Sequence, residues 1–112
     1  MEYRVVITPT AQEHLRKYIM YTQKMFKNKQ AVHAILEDAR QTSKRLSIIA
    51  GSLALCDDEI LSEYGYRKIM FLRHDFFMIY RLDGNVAVVE GMYHVLQDYE
   101  SLFRLDMQSQ GK

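Results

Sequence analysis

The dipeptide Asp83-Gly84 places the strongest constraint on the fold, because it separates two runs of strand-forming residues. An Asp-Gly pair between such runs is the strongest short-range signal of a β-hairpin with a two-residue turn. The runs cover residues 76–82 and 86–94, and a third run of the same kind covers residues 66–72. The second half of the chain is therefore predicted to be an antiparallel sheet of three strands.

The register of this hairpin decides which side chains share a face of the sheet. A turn at this dipeptide pairs Arg81 with Val86 and, if the ladder continues, Arg73 with His94. These side chains then lie on one face, and the opposite face is more uniformly apolar. Its members are Phe76, Met78, Tyr80, Leu82, Ala87, Val89 and Tyr93. We expect the helices to pack against the apolar face and to leave Arg73, Arg81 and His94 on the bare face.

The first half of the sequence predicts a strand followed by two helices. Residues 2–7 alternate as a strand does until Pro9, and Thr10-Ala11-Gln12-Glu13 has the spacing of a capping box at a helix start. Apolar residues then recur every three or four positions on both sides of Asn28, as far as residue 26 and again over residues 29–46. The two stretches are predicted to form an antiparallel helical hairpin.

The remaining segments have weaker patterns. Residues 47–65 have no clear period and are predicted to be a loop along the sheet edge. Residues 97–106 are predicted to form a short final helix, followed by a frayed tail over residues 108–112. With 112 residues and no linker-like stretch, the chain is predicted to be one α+β domain over residues 1–107.

Charge is distributed unevenly along a chain whose formal net charge is only +1. The stretch from Arg16 to Arg45 holds eight lysines and arginines against two acids, whereas the chain after Leu46 holds six against ten. A basic surface suits an acidic partner, either nucleic acid or an acidic protein, but a solvated helix face gives the same count. The residues predicted to contact a target are Lys24, Lys27, Arg40, Lys44, Arg45, Arg67 and Lys68.

Composition argues against several classes of protein. Cys56 is the only cysteine, and its acidic neighbours oppose a reactive thiolate, so it is predicted to be a packed residue. The amino terminus lacks the apolar run of a signal peptide, and no stretch reaches the roughly 18 apolar residues of a membrane span, which favours a cytoplasmic protein without membrane contact. The four histidines are not spaced as zinc ligands and no phosphate-binding glycine motif occurs, so no metal or cofactor is expected.

Three stretches, taken in order, resemble the RelE/ParE superfamily, the toxins of bacterial type II toxin–antitoxin systems of the plasmid-stabilisation type. They are residues 3–15, the step Gly65-Tyr66-Arg67-Lys68-Ile69, and the closing run from residue 77 to the signature His94-Val95-Leu96-Gln97-Asp98-Tyr99. The resemblance spans residues 3 to about 103. It implies a strand, a helical hairpin, an antiparallel sheet and a terminal helix, in a growth inhibitor that a cognate antitoxin holds inactive.

The resemblance implies one of two targets. One branch of the superfamily cleaves messenger RNA on the ribosome without a metal ion, as an mRNA interferase, and another is associated with poisoning DNA gyrase. Where cleaving relatives carry two arginines and a tyrosine, this chain has Phe77, Gly91 and Val95. These departures favour ParE-like binding of gyrase over RelE-like cleavage.

The site expected for cleavage follows from the same resemblance. His94 matches a histidine that transfers protons in some relatives, and Arg73 and Arg81 are predicted to lie on its face of the sheet as the cations that stabilise a phosphorane. The sequence leaves open whether the protein is an enzyme. A third interpretation is a toxin fold that has lost activity and acts only as a binding module.

Overall fold

A computed structural model describes the backbone of residues 2–110 and the side chains of residues 2–106. The strands are β1 (Arg4–Ile7), β2 (Arg67–Met70), β3 (Phe76–Asp83) and β4 (Val86–His94). The helices are α1 (Pro9–Phe26), α2 (Lys29–Ile49), α3 (Glu59–Glu63) and α4 (Tyr99–Gln110), with a 3₁₀ turn at Ala50–Ser52. The predicted α+β class is confirmed. None of these helices has the length and apolar character that crossing a membrane requires.

One sheet holds all four strands in the order β1-β4-β3-β2, so the predicted sheet of three antiparallel strands was too small by one edge strand, β1. β1 runs parallel to β4, and the other neighbours are antiparallel. α1 and α2 pack on one side, the hairpin face, whose buried sheet residues are Ile69, Met78, Tyr80, Ala87, Val89 and Met92. The other side, the α4 face, buries Cys56, Leu61, Tyr66, Phe77, Ile79, Tyr93 and Phe103. Both faces of the sheet are therefore covered.

The N-cap of helix α1 lies two residues before the predicted N-cap, Thr10. Thr8 is its N-cap, and the Thr8 hydroxyl accepts a hydrogen bond from the Ala11 amide at 3.2 Å. Pro9 follows at the first helical position, where its fixed φ suits the helix and its missing N–H would have no partner in any case. The prediction that the helix starts at Thr10 was wrong, because Thr8 followed by Pro9 provides an N-cap and a first helical residue two positions earlier.

The predicted break between the two long helices is confirmed at Asn28. Lys27 ends α1 in the left-handed conformation, with a φ of 47°, and the Asn28 side chain caps α2 by accepting from the Gln30 amide at 2.9 Å. The last apolar residues of α1, Met25 and Phe26, are exposed although they continue its apolar stripe. The exposed end of this stripe contributes to the groove described below.

The hairpin between β3 and β4 is present, but its register differs from the prediction. Asp83 pairs with Val86, so the two-residue turn is Gly84-Asn85, and Arg81 pairs with Val88. Gly84 has a φ of +59°, which a glycine adopts without strain at the first position of such a turn. The dipeptide Asp83-Gly84 predicted the hairpin correctly, but it placed the two-residue turn one residue too early.

A β-bulge at Glu90 then changes the faces of the residues that follow. Tyr80 pairs with Val89 and Ile79 with Gly91, which leaves Glu90 as an extra residue in β4. Because side chains alternate with a period of two, one inserted residue moves all later side chains to the opposite face. Tyr93, predicted beneath the helices, lies on the α4 face.

Two segments contain more helix than the sequence predicted. The segment 47–65, predicted to be a loop, includes the end of α2, the 3₁₀ turn and α3, and it approaches β2 through a bridge between Leu55 and Arg67. α4 continues to Gln110, so the predicted end near residue 106 was too early. Part of the predicted tail, residues 111 and 112, lies outside the described residues, and the domain limit at residue 107 stays a prediction.

Candidate functional site

An open groove lies between the helical hairpin and the ends of β3 and β4. Its volume is about 890 Å³. One wall is the second half of α1 and the start of α2, and the other is the turn before β3 together with the residues after β4. The lining residues are Lys17, Tyr18, Tyr21, Thr22, Phe26, Asn28, Ala31, Ile35, Arg73, His74, Asp75, Phe76, His94, Leu96 and Gln97.

The floor of the groove is a cluster of rings centred on Phe76. Tyr18 stacks on Phe76 with ring centres 4.6 Å apart. The His94 ring meets Phe76 edge-on at 5.2 Å, and the His74 ring lies nearly parallel to it at 6.3 Å. Two imidazoles therefore flank one phenyl ring, in the geometries that aromatic pairs prefer.

His94 is held by the turn that follows β4. The His94 amide donates to Gln97 Oε1 at 2.7 Å, and Nδ1 of His94 accepts from the Leu96 amide at 3.1 Å. The Tyr18 hydroxyl donates to the same Gln97 oxygen, which connects this turn to α1. Since Nδ1 accepts a hydrogen bond, the proton of the neutral imidazole is on Nε2.

The opposite wall is held by Asp38 of α2. The carboxylate of Asp38 accepts from the Leu72 amide at 3.0 Å, the Arg73 amide at 2.9 Å and Nδ1 of His74 at 2.7 Å. Burial of the Asp38 side chain, which is 1% exposed, acts to raise its pKa, but the hydrogen bonds outweigh burial and the pKa is lowered. Asp38 therefore fixes the backbone at Leu72 and Arg73 and sets the tautomer of His74.

Arg73 and Lys17 supply the positive charge of the groove. Neither side chain forms an ion pair with any described side chain, and both are exposed. Asp75 is the single acid among the lining residues. The groove thus combines an aromatic floor with a positively charged rim.

The predicted grouping of His94, Arg73 and Arg81 is wrong for Arg81. His94 and Arg73 line the same groove, but they do so on the hairpin face and not on a bare face of the sheet. Arg81 lies on the α4 face, where its Nε donates to Glu90 at 2.9 Å. The bulge at Glu90 is the cause, because it moves His94 to the face opposite Arg81.

The α4 face forms a closed polar network around Glu90. The Tyr66 hydroxyl donates to the Glu90 carboxylate at 3.0 Å, beside the ion pair with Arg81. Burial first, and then the negative charge of Glu90, raise the pKa of Tyr66 to about 12. Arg81 and Glu90 are paired with each other and Tyr66 donates to Glu90, so none of these three groups is free to transfer a proton to or from a substrate.

Two of the three positions at which the sequence departs from cleaving relatives, Phe77 and Gly91, are filled by packing, whereas Val95 is 41% exposed. Phe77 is 2% exposed and meets the Tyr99 ring of α4 edge-on at 4.9 Å. The Lys68 ammonium lies 5.1 Å from the centre of the Phe77 ring. A Cβ placed on Gly91 would lie 2.6 Å from the Tyr93 ring. An arginine at either position would displace packed side chains.

α4 is fastened over this face by Asp106. Its carboxylate accepts from the Tyr93 hydroxyl at 2.8 Å and lies 3.2 Å from Nε2 of His14, whose Nδ1 accepts from the Met92 amide at 3.1 Å. Burial lowers the pKa of His14, against the pull of Asp106. The neutral ring can thus bridge α1, β4 and α4 at once.

The remaining predicted target contacts do not converge on one surface. Lys24 and Lys27 are exposed at the tip of the helical hairpin, whereas Lys44 is exposed near the far end of α2. The others interact within the chain: Arg40 pairs with Glu37 at 2.6 Å, Arg45 donates to the Met70 carbonyl at 3.1 Å, Arg67 donates to the Leu53 carbonyl, and Lys68 lies over the aromatic rings.

Sequence reasoning missed Lys17, Tyr18, Asp38 and His74. A signal for Asp38 was available, because it lies three residues after Ile35 on the stripe that α2 buries, where a carboxylate requires partners. No comparable signal marked the others, since the groove joins elements that are far apart in sequence. Cys56 was read correctly as a packed residue: it is buried, and burial raises the pKa of its thiol to about 11.

Comparison with known proteins gives no match to a family model and no similar curated protein. Solved structures that match most of the chain include two from toxin–antitoxin systems. A chain of the chromosomal ParDE toxin–antitoxin system from P. aeruginosa is 18% identical, with a TM-score of 0.68, over 83% of this chain and 96% of that one. A chain of the RelBE2 toxin–antitoxin complex from Mycobacterium tuberculosis is 21% identical, with a TM-score of 0.54, over 84% and 99%. This chain has the RelE/ParE toxin fold.

The strands, the two long helices and the terminal helix occur in the predicted order, and α3 lies in the segment that was predicted to be a loop. The match includes both a ParDE system and a RelBE2 complex, so the fold by itself does not separate the two branches. What this chain does with the fold depends on its own groove and on its packed α4 face.

Proposed function

We propose that this protein is the toxin of a bacterial type II toxin–antitoxin pair that inhibits growth in the cytoplasm by binding DNA gyrase, as ParE-like toxins do, and that a cognate antitoxin neutralises it. The observation that carries the choice of target is the closed α4 face. Phe77 and Gly91 stand where cleaving relatives carry arginines, and both are buried by packing.

Stabilising a phosphorane requires cations that converge on one phosphate. On the α4 face Arg81 is neutralised by Glu90, and Lys68 lies over aromatic rings beneath α4. Because the cations of the α4 face are already paired or packed, that face has no cation free, among the described side chains, to stabilise a phosphorane. This favours a protein that binds its target over one that cleaves RNA. The open surface for binding is the groove together with the tip of the helical hairpin, where Lys24 and Lys27 are exposed.

The test is growth and DNA supercoiling with the wild-type protein. We expect induced expression to stop growth, purified protein to inhibit gyrase supercoiling of plasmid DNA, and translated messages to stay intact by primer extension. Unhindered growth would favour the third interpretation, an inactive toxin fold that only binds. Normal supercoiling at high protein concentration would remove gyrase as the target.

A second candidate function, ribosome-dependent cleavage of messenger RNA, has one observation in its favour. His74 and His94 both flank Phe76, and Arg73 lies in the same groove. Asp38 binds Nδ1 of His74, which leaves Nε2 of His74 as a proton acceptor, whereas Nε2 of His94 is a donor. A base and an acid beside one cation are the groups that attack by a 2′-hydroxyl needs.

Primer extension decides between the two candidates. Cleavage on ribosomes by the wild type that is lost in His94→Ala, with Arg81→Met still active, would establish the groove as the catalytic site. Messages that stay intact in the presence of the wild-type protein would exclude ribosome-dependent cleavage.

A further inference from the structure

His14 lies where three elements of the fold meet. Its side chain, which is 16% exposed, extends from α1 toward β4 and α4. Nδ1 accepts from the Met92 amide of β4 at 3.1 Å, and Nε2 lies 3.2 Å from the Asp106 carboxylate of α4. The His14 ring also packs on the Tyr93 ring, with centres 4.9 Å apart. We call these four residues the His14 cluster.

The two partners of the His14 ring fix its protonation state. An amide N–H only donates, so Nδ1 must present its lone pair, and an ionised carboxylate only accepts, so the single proton is on Nε2. A second proton on Nδ1 would point at the Met92 N–H, and the ring would have to leave that amide. Protonation of His14 therefore breaks the contact between α1 and β4 for geometric reasons.

Asp106 depends on the position of this ring. Its Oδ2 atom lies beside Nε2 of His14 and also accepts from the Tyr93 hydroxyl at 2.8 Å. The neutral ring, bound to Met92, holds the carboxylate over β4. A protonated ring that has left Met92 attracts the same carboxylate more strongly and draws it away from Tyr93.

The charges around the ring favour its neutral form in the folded protein. The titratable and charged groups that face it are Glu13, Lys17 and Tyr18 on α1, Tyr93 on β4 and Asp106 on α4. Burial, and after it the positive charge of Lys17, lower the pKa of His14, against the opposite effects of Asp106 and Glu13. Burial also raises the pKa of Tyr93, so its hydroxyl keeps the proton that it donates to Asp106.

A cavity of about 230 Å³ lies beside the ring, between α1, β4 and α4. Its lining residues are His14, Lys17, Tyr18, Met92, Tyr93, Gln97, Leu102 and Asp106. A polar cavity of this size admits water, so a solvent proton can reach the ring and the ring has space to turn.

The His14 cluster holds the helix that covers one face of the sheet. Phe103, one turn before Asp106, is 1% exposed and packs edge-on against Tyr93. At the start of α4, the Lys68 ammonium lies between the rings of Phe77 and Tyr99, 5.1 and 5.3 Å from their centres. Movement of α4 would therefore expose Phe77 and free the charge of Lys68.

We propose that the His14 cluster is a pH-dependent clamp on α4: the neutral ring ties α1, β4 and α4 together, and the protonated ring releases Met92 and loosens α4 from the sheet. The clamp follows from the fold and goes beyond the proposed function, since it requires no particular target. Its contribution to stability is fully present above the ordinary pKa of 6.5 and is lost as pH falls through the lowered pKa of His14.

Hydrogen exchange of the full-length protein, followed by NMR at single amides, tests the clamp. Each rate is divided by the intrinsic rate at the same pH. Between about pH 7.5 and about pH 5, opening at residues 99–106 should increase at least about threefold, and by no more than about tenfold for each pH unit below 6.5. Amides of residues 77–80 in β3 should keep their protection, which distinguishes release of α4 from unfolding of the whole chain.

Two variants and a matched control locate the effect. His14→Asn keeps a neutral acceptor for the Met92 amide and cannot be protonated, so opening should change by less than about twofold over the same range. Asp106→Asn keeps an oxygen for Tyr93 but removes the charge that favours protonated His14, so the transition should move to lower pH. His33→Asn, at an exposed histidine of α2, should retain the wild-type pH dependence.

The His14 ring signals of the wild type give a second measurement that requires no variant to fold. They should titrate below pH 6.5, in step with the Met92 amide signal. Opening of α4 that does not depend on pH, that keeps its pH dependence in His14→Asn, or that occurs together with opening of residues 77–80 would each overturn the clamp. So would a transition that Asp106→Asn leaves in place. Normal gyrase activity at high protein concentration would reject the proposed function and leave the clamp standing.

Discussion

Both faces of the sheet carry aromatic and charged residues, but one face buries and pairs them and the other leaves them exposed. On the α4 face, aromatic rings are buried beneath a helix, and Arg81 and Glu90 neutralise each other. On the groove side, Tyr21 and Phe26 are exposed, and Arg73 and Lys17 have no carboxylate partner among the described side chains. One face has its interactions satisfied within the chain, and the other leaves them available to a partner.

This difference shows why residue type alone does not identify the functional surface. Burying apolar area and pairing charges stabilises the fold, so a surface that has done both has little left to offer another molecule. Exposed apolar groups lower the solubility of the free protein, and a concentration of them at one place marks a binding site for another molecule. The same contrast predicts how substitutions on the two sides differ.

The largest effect is expected from Phe103→Ala on the α4 face. Phe103 is buried against Tyr66 and Tyr93, so truncation leaves a cavity and should lower the free energy of unfolding by about 3–5 kcal/mol. Urea unfolding measures the change. Leu105→Ala, at a residue that is 60% exposed on the same helix, should cost less than about 0.5 kcal/mol. Similar losses in both variants would mean that α4 does not cover the sheet.

The next effect is expected from Asp38→Asn, which removes the charged acceptor behind the groove wall. Three hydrogen bonds depend on this buried carboxylate, and their loss should cost about 2 kcal/mol at neutral pH. The pKa of Asp38 is below its ordinary value of 3.8, so its contribution to stability is present above pH 3.8 and is lost as pH falls through the lowered pKa. Urea titrations across the acid range should show a shallower pH dependence in Asp38→Asn than in the wild type.

A smaller effect is expected from Arg81→Met. The Arg81 side chain is 38% exposed, so breaking its pair with Glu90 should cost about 1 kcal/mol or less. Growth inhibition should be unchanged, because Arg81 is on the covered face. Loss of toxicity in a folded Arg81→Met protein would restore the catalytic role that the sequence first suggested for this residue.

The smallest effect on stability is expected from Leu96→Ser at the groove. Leu96 makes little contact within the chain, so the free energy of unfolding should change by less than about 0.5 kcal/mol. Growth inhibition should nevertheless weaken, because Leu96 lines the groove that the protein offers for binding, and growth assays would show the change. Ile48→Ser, at a residue 64% exposed on α2, provides the control and should leave growth inhibition intact.

Much of the fold could be predicted because its signals are local. The strand before Pro9, the break at Asn28 and the hairpin near Gly84 each depend on the conformational preferences of a few adjacent residues. The break and the final strand were located to the residue. The apolar face of β3, from Phe76 to Leu82, was also assigned correctly, because alternation alone decides it.

The candidate site was predicted only in part, for reasons found in particular residues. His94 and Arg73 were singled out, and they do line one groove, although on the other side of the sheet. Lys17 and Tyr18 were missed because they reach the groove from α1, more than fifty residues away in sequence. His74 was missed because its partner, Asp38, is brought to it only by the packing of α2.

The sequence by itself determined the order of the strands and of the three longer helices, and the resemblance to the RelE/ParE toxins, since both follow from patterns within short segments. Only the tertiary structure decided which face of the sheet each functional side chain occupies. The physical reason is the period of two in a strand. The bulge at Glu90 arises from the pairing of β3 with β4, and that one residue places His94 in the groove, on the face opposite Arg81.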